Sequence, residues 1–309
     1  IENTTIEKIR FQYLGVIEVS AGQLLELNVN RHKVFYQILE GVLKTEILES
    51  KDESSMTVGE AIQLGEWNYE RECFDQFGWI PEINTPIFIA STTEIDTEVK
   101  ENECEVGKIP NTNLGVVMNC RTAITHHMAI LGITGSGKSV FARQTIREYM
   151  KDTNVKIICV DFTGEYIQQF ADCKPYLFAN ATETRELVTS IDGMIDAINA
   201  NYNKDTPQTK AARELIKSEL AKIVETFLAQ DDTQIGIFEL PDMENTAGVM
   251  VYTQLFFKAV FQVARFKGNL GKRVCLVLEE AHTVVPEWNF AGVNDQFAQP
   301  VLNSIAQIA

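Results

Sequence analysis

The octapeptide Gly132-Ile133-Thr134-Gly135-Ser136-Gly137-Lys138-Ser139 has the residue types and spacing needed to hold a triphosphate. It satisfies G-x-x-x-x-G-K-[ST] at every position. Gly132, Gly135 and Gly137 let the backbone curl so that its N–H groups, those of Thr134 and Ser136 among them, point at phosphate oxygens. A helix starting near Lys138 adds its positive dipole end to the same anion. Lys138 is expected to reach the β- and γ-phosphates, and Ser139 to ligate Mg2+ through its hydroxyl. Val140, next in the chain, completes the residues expected to line ATP. The plain alternative is a glycine-rich turn with a chance lysine. The apolar run Met128–Ile133 before the loop, read as a strand, and the helical spacing of Val140–Met150 after it argue against that alternative.

The second candidate is Arg273-Val274-Cys275-Leu276-Val277-Leu278-Glu279-Glu280-Ala281-His282. A buried strand there would deliver two acids at its carboxyl end, where ligands bind in open α/β sheets. Neighbouring strand residues point to opposite sides, so the two acids should do different work. Glu279 would orient Mg2+, usually through its waters. Glu280 would hold and polarise the attacking water as general base. Two adjacent acids can also simply end a strand at the surface; the upstream phosphate loop tips the reading toward chemistry. Asp161, in Asp161-Phe162-Thr163-Gly164-Glu165-Tyr166, ends another strand-like run. It is a candidate catalytic acid tuning the metal or its waters, and equally a turn or helix cap.

Positioning these groups requires strands alternating with helices. Val155–Val160, Ile235–Leu240 and Val274–Leu278 read as buried strands, and Thr246–Phe266 as a long helix. Thr182–Gln230 reads as helical, split by the polar break Asn201–Gln208. That alternation predicts a mostly parallel sheet with both faces covered. Two strands lie between the phosphate loop and the paired acids, which separates the chain from kinase-like P-loop proteins. Ahead of the loop the pattern differs. Tyr13–Val19, Leu24–Val29, Val34–Ile38 and Ile87–Ala90 read as short strands of a small antiparallel barrel or sandwich. Glu46–Glu60 reads as an exposed acidic loop, and Gly107–Leu114 as an interdomain linker. The domains are therefore expected at 1–118 and 119–309, with a helical insertion at about 182–230.

Of 309 residues, 45% are hydrophobic and 23% charged, so a sizeable soluble core can form without disulfides. Six cysteines show no Cys-x-x-Cys pair, which points to a reducing, cytoplasmic compartment. The most apolar long run, Val249–Phe266, is interrupted by Gln254, Lys258, Gln262 and Arg265, so no membrane span is expected. The net charge of -16 argues against a uniformly basic nucleic-acid surface, but an acidic ring can carry basic loops in its pore. Arg265, Lys267, Lys272 and Arg273 read first as a solvated loop, with phosphate contact as the alternative. The chain starts at isoleucine and stops inside a helix-like stretch, Phe297–Ile308, so part of a longer protein is expected.

Taken together, Ala129-Ile130-Leu131-Gly132 through Ser139, the D-x-x-G-E-Y run from Asp161 and the L-E-E-A-H run from Leu278 resemble the HerA family of motors. The resemblance implies a RecA-like, additional-strand, catalytic-glutamate P-loop core preceded by a small β-barrel. It implies a homo-hexameric ring that hydrolyses ATP with Mg2+ and moves double-stranded DNA. It also implies a partner docked on the barrel, either a nuclease or an NAD-consuming effector of antiphage defence. The family's arginine finger and final strand have no counterpart before Ala309. The competing reading is a scaffold whose nucleotide site sets assembly and switches on a partner enzyme.

Overall fold

The computed structural model describes residues 1, 3–14, 17–43, 56–91, 97–161, 163–178, 189–190, 192–194, 196, 206–239, 246–266 and 273–281. Two compact units divide the chain, Ile1–Asn119 and Cys120–Ala309.

The first unit is antiparallel. Strands β1 (Asn3–Thr4), β2 (Lys8–Leu14), β3 (Leu24–Val29), β4 (His32–Leu43), β5 (Met56–Asn68), β6 (Cys73–Asp75) and β7 (Phe88–Ile89) form one sheet. Their order is β1-β2-β5-β4-β3-β7, with β6 on β5. In β2, Ile9 and Phe11 are buried between exposed Lys8, Arg10 and Gln12, the period-two pattern of a half-buried strand. They join Leu25, Leu27, Val34, Tyr36 and Ile38 in one core. The path runs from β1 to β7 with no pairing between those two among the described residues, so the sheet stands described and its closure into a barrel does not.

Three expectations are corrected here. The strand placed at Tyr13–Val19 lies earlier, at Lys8–Leu14. Residues 46–55 of the expected acidic loop lie outside the described residues, but Met56–Glu60 opens β5, which pairs with both β2 and β4. Its glycines and glutamates are poor strand formers by composition. Close approach explains one of them: a Cβ on Gly59 would sit 2.5 Å from Phe11 Cζ. The third concerns Gly107–Leu114, which is no free linker. Strands β8 (Glu103–Lys108) and β9 (Gly115–Asn119) pair as a hairpin, and Ile109 and Leu114 are buried with Leu24 and Phe35. Pro110 and the left-handed Asn111 make the hairpin's turn.

The second unit contains α1 (Cys120–Ala123), α2 (Lys138–Asp152), β10 (Lys156–Asp161), α3 (Tyr166–Gln169), β11 (Tyr176–Leu177), α4 (Pro207–Ala229), β12 (Ile235–Glu239), α5 (Thr246–Phe266) and β13 (Val274–Leu278). Its sheet has the order β11-β12-β10-β13, and every pair is parallel. All six residues of β10 are buried, as a central parallel strand requires. Helix α4 starts where Thr206 accepts from the Thr209 N–H and Pro207 fixes the first turn. Ile158, Val160 and Phe238 of the sheet pack with Ile216, Leu220, Val224 and Phe227 of α4 and with Leu255, Phe256 and Val260 of α5. Phe238 and Phe256 stack with centroids 3.7 Å apart, and Phe178 meets Phe256 edge-on. Tyr252, Phe256 and Phe257 of α5 thus serve the core; Phe261 is half-buried beneath Arg265. Phe256→Ala should therefore cost about 3–5 kcal/mol, seen as a lower urea midpoint for this unit.

One strand is missing from expectation. Met128–Ile133 forms no described strand, and Leu131 and Ile133 are 88% and 82% exposed. An apolar run becomes a strand only with a neighbour to pair against, and no described strand pairs with this one. Most of the expected helix before residue 201, and all of Phe297–Ile308, lie outside the described residues. Among the described residues no helix is long and apolar enough to cross a membrane.

Candidate nucleotide site

The phosphate loop connects the exposed 128–133 segment to α2. Gly135 and Gly137 have φ of 82° and 90°, a region that other residues enter only at a cost. Gly137 is the residue from which α2 departs, and its carbonyl accepts from the Phe141 N–H at 2.9 Å. A Cβ on Gly132 would collide with the Ser136 side chain. The turn is tightened by the Ser136 N–H donating to the Ile133 carbonyl at 3.2 Å. Lys138 Nζ donates to that same carbonyl at 3.1 Å, so the ammonium lies back over the loop. No acid occupies the first turn of α2, which leaves its positive end uncompensated. Thr134 lies within the loop and Val140 in the first turn of α2, where it is exposed.

The parallel strands bring their acids level. Register pairs Asp161 with Glu239 across β10 and β12, and Val160 with Leu278 across β10 and β13. Glu279 follows directly, its N–H donating to the Val160 carbonyl at 3.2 Å. Its Oε1 accepts from Ser139 Oγ at 2.8 Å, and its Oε2 from the Tyr166 hydroxyl at 2.5 Å. Residues 140 positions apart, the loop serine and the strand acid, thus meet. Glu280 is exposed and left-handed, with φ of 47°. For a residue with a Cβ this backbone costs on the order of 1–3 kcal/mol, and such strain concentrates at functional positions.

Asp161 is 1% exposed, and both of its oxygens are engaged in its own turn. Oδ1 accepts from Thr163 N (2.9 Å), Thr163 Oγ1 (2.8 Å) and Gly164 N (3.0 Å); Oδ2 accepts from Tyr166 N (2.7 Å). These bonds turn the chain from β10 into α3 and set the Tyr166 backbone. Burial first, then the hydrogen bond and charge of Glu279, push the Tyr166 phenol well above its ordinary range, so it is a neutral donor. Arg147 of α2 forks onto Asp172 at 2.7 and 2.8 Å and also donates to the Gln169 carbonyl. The guanidinium holds the Asp172 carboxyl down at about 2. The phosphate-loop helix and the carboxyl end of α3 are thereby tied together.

Sequence reasoning missed two residues. Tyr166 stood inside the D-x-x-G-E-Y run, but its partner lies 113 positions away and spacing cannot reveal it. Glu239 ends β12 as Asp161 ends β10, and that strand-end position was the available signal. Burial, then the charge of Asp161, raises the Glu239 carboxyl above its usual range. Ahead of the loop, His126 Nδ1 lies 2.9 Å from the Thr122 carbonyl, a local turn contact. His127 is exposed in the segment leading to the loop, and His282, Lys267 and Lys272 lie outside the described residues.

Among the described residues no three His, Cys, Asp or Glu side chains are grouped to hold a metal by themselves. One hydroxyl and one carboxylate in contact, Ser139 and Glu279, fit Mg2+, which commonly takes one or two protein ligands and completes its shell with phosphates and water. A zinc or calcium cage would need more.

The sequence profile described as helicase HerA, central domain, matches residues 104–240. Residues 104–240, somewhat under half of the chain, are thus similar to the HerA central domain. The HerA match begins in β8 and ends just past β12, so it takes in the phosphate loop and the Asp161–Tyr166 turn, while Glu279 and Glu280 lie beyond it. Similar relatives include an uncharacterized protein of Aquifex aeolicus, 31% identical over 107 residues, covering 32% of this chain and 38% of that one. Two proteins named DNA double-strand break repair helicase HerA also match. That of Sulfurisphaera tokodaii is 30% identical over 88 residues, and that of Sulfolobus acidocaldarius 30% over 86; each match covers 28% of this chain and 17% of the relative. The chain thus matches well under half the length of these curated relatives.

Proposed function

We propose that this chain is a HerA-family protein, the ATP-hydrolysing subunit of a hexameric ring that translocates double-stranded DNA in the cytoplasm. The observation that carries the ATPase reading is the 2.8 Å hydrogen bond from Ser139 to Glu279, which joins the phosphate loop to the acid strand. Backbone N–H groups from Gly132 to Val140 cradle the phosphates, with Lys138 turned from the Ile133 carbonyl onto the β- and γ-phosphates. Ser139 and Glu279 would hold Mg2+, Glu279 through the ion's waters, and the ion would supply neutralisation of the developing phosphate charge. Glu280 accepts a proton from water as the water oxygen bonds to the γ-phosphorus. The bond to the β–γ bridging oxygen breaks, and its electron pair leaves with ADP.

The DNA-motor part rests on the family and on the names of the two repair helicases. In this reading the amino-terminal sheet is a closed barrel on which a partner nuclease or NAD-consuming effector docks. The charge of -16 favours a second reading, an ATP-set scaffold that activates its partner with little translocation. Phosphate release measured with and without long duplex DNA separates the two. A motor should hydrolyse ATP faster when duplex is added, and more so as the duplex lengthens. Hydrolysis indifferent to DNA, with nucleotide-dependent change in particle size, would instead establish the scaffold.

A further inference from the structure

The metal-side acid is held from two directions, and only one of its partners belongs to the phosphate loop. Ser139 donates to Glu279 Oε1, and the Tyr166 hydroxyl donates to Oε2. Tyr166 is 1% exposed, and its ring meets the buried Phe170 ring edge-on at 5.5 Å. A carboxylate on a strand end swings about its side-chain torsions unless something fixes it. Here a phenol with a packed ring does so. The phenol is placed in turn by Asp161, whose Oδ2 takes the Tyr166 N–H while Oδ1 takes three donors from the intervening turn. The chain of contacts runs Asp161, turn, Tyr166, Glu279, Ser139, and every link is a hydrogen bond of 2.5–3.0 Å or the covalent backbone.

We infer that Tyr166 is a positioning residue for the metal-side carboxylate: it pins Glu279 Oε2 so that Oε1 alone turns between the Ser139 hydroxyl and the Mg2+ shell. Asp161 acts through the same chain as the cap that sets Tyr166. The inference rests on the ATPase reading of this site. It assigns to the D-x-x-G-E-Y run a structural cause: the aspartate folds the turn, the glycine (φ 74° at Gly164) permits it, and the tyrosine delivers the contact. Partners that orient metal ligands commonly contribute about 10–100-fold to metal affinity or activity.

Tyr166→Phe removes the hydroxyl and keeps the ring in its packing against Phe170. Three readouts are taken on the full chain: binding of fluorescent ADP without metal, Mn2+ affinity of the ADP complex, and the Mg2+ concentration at half-maximal ATP hydrolysis. Tyr166→Phe should bind metal-free ADP as the wild type does, but bind Mn2+ about 10–100-fold more weakly and need correspondingly more Mg2+. A double-mutant cycle with Glu279→Gln removes any ambiguity from a general loosening of the fold. If Tyr166 acts through Glu279, adding Tyr166→Phe to Glu279→Gln should cost little further metal affinity. Equal losses in both backgrounds, or wild-type metal dependence in Tyr166→Phe, overturn the positioning role while leaving the ATPase reading intact. A wild-type protein that neither binds Mn2+ with ADP nor hydrolyses ATP overturns the ATPase reading, and the inference falls with it.

Discussion

Glu280→Gln is expected to lower ATP turnover by about 10²–10⁴-fold while leaving ATP bound. The substitution keeps size and shape and removes one property, the capacity to accept a proton. At roughly 1.4 kcal/mol per decade, the loss amounts to about 3–6 kcal/mol of transition-state stabilisation. The structure makes this test clean. Glu280 is exposed, so the amide meets water and not an apolar wall. Its backbone sits at φ 47°, and glutamine adopts that conformation at the cost glutamate already bears. Glu279, with its contacts to Ser139 and Tyr166, is untouched. Rapid-quench measurement should show ATP bound and unhydrolysed on the variant, with affinity near wild type. Turnover within a few-fold of wild type would remove the base assignment from Glu280 and point to another strand-end acid, with Glu239 the first to examine.

What was legible in the sequence follows a physical pattern. The phosphate loop was readable because backbone curvature, anion binding and helix initiation constrain eight consecutive residues at once. Strands β10 and β12 were readable because a strand buried on both faces is a short unbroken apolar run, as in Ile157-Ile158-Cys159-Val160; β13 forms where its apolar run was read, but it is half-buried and not buried. Helices α4 and α5 lie in stretches read as helical, although Pro207 and Gln208, read as the end of a polar break, open α4 behind the Thr206 cap. The failures share a cause: each turned on a partner remote in sequence. Met56–Glu60 looks loop-like until Phe11 and the flanking strands β2 and β4 are supplied. Gly107–Leu114 looks like a linker until Ile109 and Leu114 are seen buried against Leu24 and Phe35. Met128–Ile133 looks like a strand, yet Leu131 and Ile133 are exposed without a described neighbour. At the site, Asp161 could be read as chemistry or as a cap, and four hydrogen bonds to its own turn favour the cap.

Lys138→Ala should be the most damaging single change to nucleotide binding, and its effect should separate from that of Glu280→Gln. The ammonium is the one full positive charge in the loop segment; the remaining cradle is backbone N–H dipoles and the α2 terminus, worth about half a charge. Removing a preorganised donor aimed at developing phosphate charge costs about 10²–10³-fold in turnover. Because the same ammonium also contacts phosphate in the ground state, affinity for ATP should fall as well, so that the loss appears in both kcat and KM. Stability should hardly change. The one described hydrogen bond of the Lys138 side chain is to the Ile133 carbonyl in an exposed stretch, and such surface losses stay within about 0.5 kcal/mol. The pair of variants therefore gives a crossed pattern in a fluorescent-nucleotide titration: binding retained without Glu280, binding weakened without Lys138. A Lys138→Ala protein that binds ATP as tightly as wild type would mean that the ammonium stays folded over the Ile133 carbonyl when nucleotide is present. The dipoles of the loop and α2 would then hold the phosphates unaided.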